Sequence, residues 1–202
     1  MVNLVKPNIK LIFMSNYKSS IYLTSLLRHR AINDGFHMDS RGFVAVSEIM
    51  TKCNNFTLEK IKQIVAADKK SRFHLEERNG EYYIRAAQGH TIPGIDPDLK
   101  LIVDPSELST VVHGTYLEAY ESIKLTGLNK MDRNHIHFAH GTINDPTVIS
   151  GMRKTANVMI YIDVEAAMDA GINFYVSANG VILSDGINGV IDPKFFSKVE
   201  FT

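Results

Sequence analysis

Among its 202 residues the chain has one cysteine, no tryptophan and no net charge, because 22 lysines and arginines balance 22 aspartates and glutamates. Cys53 alone cannot close an intramolecular disulfide, and no CxxC pair is present to hold zinc or run thiol exchange. A reducing compartment, cytoplasmic or nuclear, is therefore expected. The early apolar run Leu11-Ile12-Phe13-Met14 is too short for a signal-peptide core or a bilayer span, so no membrane partner is expected. No GxGxxG or GxxxxGK[ST] loop occurs, which excludes Rossmann and P-loop nucleotide sites. No heptad pattern suggests an interface, and a monomer is expected. The 45% hydrophobic content excludes a disordered or collagen-like chain and leaves a globular one with one domain or two small lobes.

Neutrality looks at first like an argument against a nucleic-acid enzyme. Divided at Pro105, however, residues 1–105 carry 15 basic and 11 acidic side chains, whereas residues 106–202 carry 7 and 11. A basic half and an acidic half cancel.

Three of the six prolines, Pro93, Pro97 and Pro105, fall in residues 91–105, which reads as a linker between residues 19–90 and residues 106–202. Residues 1–18 match no pattern. In the first lobe Ser19 or Ser20 is expected to cap a helix running to about Arg30, with Leu23, Leu26 and Leu27 on its apolar side and Arg28, His29 and Arg30 in its last turn. Phe43–Val46 reads as a strand, Ser47 begins a short helix, and Thr57 caps another with Leu58, Ile61, Ile64 and Val65 at helical spacing. The strand-like runs 72–75 and 82–85 bracket Asn79-Gly80, a tight-hairpin signal. Helices followed by a hairpin predict a winged-helix-like lobe. In the second lobe, Val111-Val112-His113 is expected to be a strand that stops at Gly114, followed by a helix ending at Gly127. Strand-like runs 135–139, 158–163, 174–177 and 181–185 make this lobe β-rich. The expected class is α+β.

His135 and His137, two apart on a strand, leave the same face. They read either as a core and rim pair or as metal ligands, but no third ligand stands at zinc-like spacing, so no metal is expected. His113-Gly114-Thr115 at a strand end places an imidazole, a bare backbone and a hydroxyl together, as a polar-ligand site or as plain strand termination. Arg28, Arg72 and Arg133 each stand beside a turn or element end, from which guanidinium groups can fork onto a phosphate if they converge.

Read in order, several stretches resemble the NAD-dependent RNA (tRNA) 2'-phosphotransferase family. They are Leu26-Leu27-Arg28-His29, Arg41-Gly42-Phe43-Val44, Lys70-Ser71-Arg72-Phe73, Ile84-Arg85-Ala86-Ala87-Gln88-Gly89-His90, Val112-His113-Gly114-Thr115, Arg133-Asn134-His135-Ile136-His137 and Ser177-Ala178-Asn179-Gly180-Val181. The resemblance implies a winged-helix-like RNA lobe, an ADP-ribosyltransferase-like NAD lobe, and 2'-phosphorylated RNA and NAD as substrates. It implies a catalytic set of Arg28, His29, Arg72 and Arg133, and an NAD pocket built around His113, Gly114, Thr115, His137, Asn179 and Gly180. It also likens the stretch from Asp145-Pro146 to Gly151-Met152-Arg153 to the loop near the adenosine of NAD. His29 is implied either to bind substrate or to act as a base. Two positions depart from the family pattern: Ala87 replaces a common asparagine, and Val176 a common arginine. Two other readings of the residues are an ADP-ribosyltransferase acting on protein, small molecules or nucleic-acid phosphate ends, and a winged-helix nucleic-acid-binding regulator.

Overall fold

The computed structural model describes residues 9–141, 148, 150–153 and 155–202. The chain divides into two compact units, Met1–Ala86 and Ala87–Thr202. Helices combine with strands whose described pairings are all antiparallel, which makes the fold α+β and not a parallel α/β sheet.

In the first unit, helix α1 (Ile9–Ser25) runs straight into a π-helical turn, Leu26–Arg30, closed by the Ala31 amide donating to the Leu26 carbonyl at 2.9 Å. The helix thus begins well before the expected cap. Ser19 is buried inside it, so a residue type that favours caps here sits in a helix interior. Strand β1 (Val44–Ala45) leads directly into α2 (Val46–Lys52), and Thr57 caps α3 (Leu58–Ala67) through its hydroxyl, which accepts from the Lys60 amide at 3.2 Å. Ile61 and Ile64 of α3 are buried, as are Leu23, Leu26 and Leu27. Strands β2 (Phe73–Arg78) and β3 (Glu81–Ala86) form the hairpin, and β1 adds to β3 to give the order β1-β3-β2. Asn79 and Gly80 take φ values of 52° and 82°, the backbone that a two-residue type I′ turn requires.

The second unit contains β4 (Lys100–Leu101), β5 (Val112–Thr115), α4 (Leu117–Thr126), β6 (Leu128–Asn129), β7 (Ile136–Phe138), β8 (Val158–Ile162), α5 (Val164–Asp169), β9 (Phe174–Val176), β10 (Ile182–Ser184), β11 (Val190–Ile191) and β12 (Phe196–Phe201). Two sheets dominate, ordered β4-β9-β10-β7 and β12-β8-β5, and a third pairs β11 with β6. Reciprocal hydrogen bonds of 3.0 and 2.9 Å between Val112 and Ala139 join β5 to the end of β7. The core of this unit gathers Phe138, Ile160, Phe174 and Ile182 from four strands.

Residues 91–105, expected as a linker, belong to the second unit: β4 pairs with β9, and Ile102 is buried in the core. Proline-rich composition marked the absence of long elements there, not the absence of packing. Strand β5 also continues through Gly114 to Thr115. Gly114 pairs with Met159, and a Cβ at that position would lie 2.4 Å from Cγ of Met152, so the glycine serves close approach and not chain termination.

Candidate active site

Strands β5 and β7 bring His113 and His137 together. The His113 Nδ1 donates to the His137 carbonyl at 2.9 Å, and because a carbonyl only accepts, this bond fixes the proton on Nδ1 and leaves Nε2 as an acceptor. Burial holds the His113 pKa below the usual histidine value, and the positive charge of Arg133 pushes the same way against the hydrogen bond. His113 is thus kept neutral. The His137 Nε2 in turn lies 2.8 Å from Oε1 of Gln88, a buried side chain that was visible in the sequence only as part of a longer matching stretch.

Beside them, Gly114 presents bare backbone under Met152 and Ala156, and Thr115 is buried, its carbonyl accepting from the Asn157 amide at 3.0 Å. Asn179 and Gly180 occupy the turn between β9 and β10. Gly180 has φ 75°, with nothing within 4 Å of where a Cβ would stand, so here the backbone and not the space demands glycine. Ser177 organises this turn: its hydroxyl accepts from the Val181 amide at 3.1 Å, and lies 2.8 Å from Oδ1 of Asn179 as a donor. Ile182, the first residue of β10, pairs with Phe138, the last of β7, so the turn lies just beyond that end of β7.

Arg133 follows Lys130 in a turn closed by its own amide at 3.2 Å. Desolvation by the surrounding protein, then the charge of Arg153, lowers its pKa, although the residue as a whole is exposed, and Arg153 lies over the Tyr116 ring at 5.9 Å. The stretch from Asp145-Pro146 that leads up to Gly151 lies largely outside the described residues, but Gly151, Met152 and Arg153 are described. Val176 pairs with Ile182 and Lys100 and packs against the core, so this departure from the family pattern is accommodated as a strand residue. Ala87 is buried.

His135 does not share a cluster of metal-ligating type with His137. Its Nε2 meets Asp185 Oδ1 at 3.1 Å and its ring meets the edge of Tyr175. Among the described residues no group of three or more histidines, cysteines or acids is placed to hold a metal ion. No described helix is long and apolar enough to cross a membrane.

In the first unit, Arg28 and His29 sit in the π-helical turn, a widened helical geometry frequently found at functional sites. The neighbouring Arg30 is engaged locally, on Asp34 at 2.8 Å and Ser25 at 3.1 Å. Arg72 begins the approach to β2 and is held by Asp68, whose Oδ1 accepts from Nε at 3.0 Å and Nη2 at 2.8 Å. Sequence reasoning missed Asp68, whose only signal was its position at the end of the helical pattern of α3. Arg28, His29 and Arg72 thus belong to the first unit, and Arg133 and the candidate NAD residues to the second.

The arginines and the glycine-floored histidines are residue types that suit anionic and nucleotide ligands, and comparison with known proteins gives the class of protein, a transferase family. Residues 15–186 match the sequence profile of the family described as RNA 2'-phosphotransferase, Tpt1 / KptA family. A Schizosaccharomyces pombe protein is 42% identical over 180 residues, 88% of this chain and 49% of that protein, so the chain spans about half the length of that relative. The Danio rerio tRNA 2'-phosphotransferase 1 is 38% identical over 88% of this chain and 82% of its own length. The tRNA 2'-phosphotransferase of Saccharomyces cerevisiae is 34% identical over 82% and 76%. The chain belongs to the RNA 2'-phosphotransferase family.

Proposed function

We propose that this member of the family is a transferase that removes a 2'-phosphate from RNA, of the kind left at a tRNA splice junction, with NAD consumed as co-substrate. The observation that carries this reading is the family match across residues 15–186. In the chemistry that family resemblance implies, the RNA 2'-phosphate displaces nicotinamide from NAD. The ribose 2''-hydroxyl then attacks phosphorus, releasing 2'-hydroxyl RNA and ADP-ribose 1'',2''-cyclic phosphate.

The residues of the second unit fit a nucleotide of this kind. Gly114 offers backbone without a side chain, and neutral His113 keeps in Nε2 an acceptor nitrogen that its bond to His137 does not use. Thr115, His137, Asn179 and Gly180 complete the proposed pocket. We assign this unit to an ADP-ribosyltransferase-like NAD lobe and the first, with its three helices and hairpin, to a winged-helix-like RNA lobe.

The central electrostatic problem is to bring a dianionic phosphate beside the diphosphate of NAD. Arg28, Arg72 and Arg133 supply the compensating charge and stabilise what develops on the phosphoryl oxygens in the second step. His29 hydrogen-bonds the phosphate or the ribose hydroxyl, and its neutral form accepts a proton. The test is a short RNA with one internal 2'-phosphate, incubated with the protein with and without NAD. NAD-dependent conversion to 2'-hydroxyl RNA and ADP-ribose cyclic phosphate is expected. Folded protein that yields neither product would reject the reading.

A further inference from the structure

We propose that Asp68 is a positioning residue for the reaction, holding Arg72 so that only one edge of its guanidinium faces the RNA phosphate. The proposal rests on the reading that Arg72 binds that phosphate.

The geometry is specific. Helix α3 ends at Ala67, and Asp68 forms its C-cap, with its amide donating to the Val65 carbonyl at 3.2 Å. Ser71 then takes a φ of 45°, which reverses the chain within four residues. The reversal points the backbone amide and the side chain of Arg72 back at one carboxylate. Oδ2 accepts from the Arg72 amide at 2.6 Å, and Oδ1 from Nε at 3.0 Å, Nη2 at 2.8 Å and, more distantly, the Lys70 amide at 3.3 Å. The Asp68 side chain is only 2% exposed, whereas that of Arg72 is 33% exposed.

Helix stability does not account for this aspartate. The C-terminal end of a helix carries partial negative charge, so a carboxylate there is disfavoured and glycine or asparagine is the usual solution. Burying the carboxylate adds desolvation cost, which is offset only where its lone pairs are filled, as they are here by Arg72 and the turn amides. The arrangement therefore makes sense around the arginine. With Nε and one hydrogen of Nη2 committed to Asp68, Nη1 and the other hydrogen of Nη2 remain as a two-pronged edge. That edge suits two oxygens of one phosphate, and its direction is fixed before substrate arrives.

The test uses single-turnover reactions with 2'-phosphorylated RNA and NAD, following both the ADP-ribosylated RNA intermediate and the final product. Asp68→Ala should slow product formation by about 100-fold, the scale of loss for a misplaced catalytic group, while KM for NAD stays close to that of the parent. Asp68→Asn keeps an oxygen for Nε and Nη2 and should lose roughly tenfold, intermediate between parent and alanine. This second variant decides the matter if the alanine variant does not fold. In an Arg72→Ala background neither change at Asp68 should slow the reaction further, because the group it positions is gone. If Arg72→Ala reacts at the parent rate, the reading of Arg72 falls and this proposal with it. If Arg72→Ala is slow but both Asp68 variants react at the parent rate, only the positioning role of Asp68 is overturned. Losses that multiply in the double variants also overturn it, since Asp68 would then act through something other than Arg72.

Discussion

The His113 ring donates its Nδ1 hydrogen across from β5 to the main-chain carbonyl of His137 on β7. The bond selects one tautomer, and burial, the leading cause, pushes the His113 pKa down. A group whose folded pKa is depressed takes up more protons unfolded than folded between the two values. Stability therefore falls as pH drops below the ordinary histidine pKa, about 6.5, towards the folded value. His135, also held down by burial, adds in the same direction. Urea unfolding at a series of pH values from 8 to 5 should show this decline, and His113→Asn should flatten it. An equal slope in the variant would assign the decline to other groups.

At Gly114 the expected effect is steric. A Cβ would stand 2.4 Å from Cγ and 2.9 Å from Sδ of Met152, and 3.1 Å from the Ala156 Cβ. Gly114→Ala should destabilise the protein by about 1–3 kcal/mol, the usual range for overpacking. Adding Met152→Ala should recover most of that loss in thermal unfolding, because two of the three close atoms are then removed.

Gln88 holds the His137 ring in place through its side-chain amide. Its Oε1 lies 2.8 Å from the ring Nε2, and the amide is buried. Gln88→Ala leaves that ring nitrogen without its amide partner at a cost of about 1–3 kcal/mol. The larger functional effect should be a raised KM for NAD with little change in kcat, measured by steady-state nicotinamide release. A fall in kcat alone would separate Gln88 from NAD binding.

Arg133 should matter after NAD has been used. Removing one preorganised charged donor typically costs about 3 kcal/mol, or roughly two orders of magnitude in rate. Arg133→Ala, and likewise Arg28→Ala, should therefore accumulate ADP-ribosylated RNA in single-turnover gels, with unfolding curves near those of the parent. Product release at the parent rate would remove that arginine from the mechanism.

Much of the architecture could be read from pattern. The helical spacing in α3, the Thr57 cap and the Asn79-Gly80 hairpin follow local rules, and each stands where those rules put it. Local rules failed where distant packing decided. Ser19 has the chemistry of a cap but is buried inside α1. Gly114 looks like a strand end but lies within β5 because Met152 needs its empty side. The proline-bearing segment 91–105 contributes β4 to a sheet whose other strands come much later in the chain.

The candidate site divides in the same way. His113-Gly114-Thr115 and the arginines can be picked out by residue type, whereas the Asn179-Gly180 turn is picked out only by the family resemblance. Asp68 and Gln88 do not stand out, since a single aspartate or glutamine carries no motif until its partner is known.

The order of residues by itself determined the α+β class, the contrast between a basic and an acidic half, and family membership, because periodicity, charge and motif order are properties of the string. Only the tertiary structure decided which partner each polar group has. The hydrogen bond between His113 and His137 depends on β5 and β7 lying side by side, and the hold of Asp68 on Arg72 depends on the chain reversing at Ser71. Tautomer, guanidinium direction and proton affinity follow from distances of about 3 Å, which no spacing along the chain specifies until it has folded.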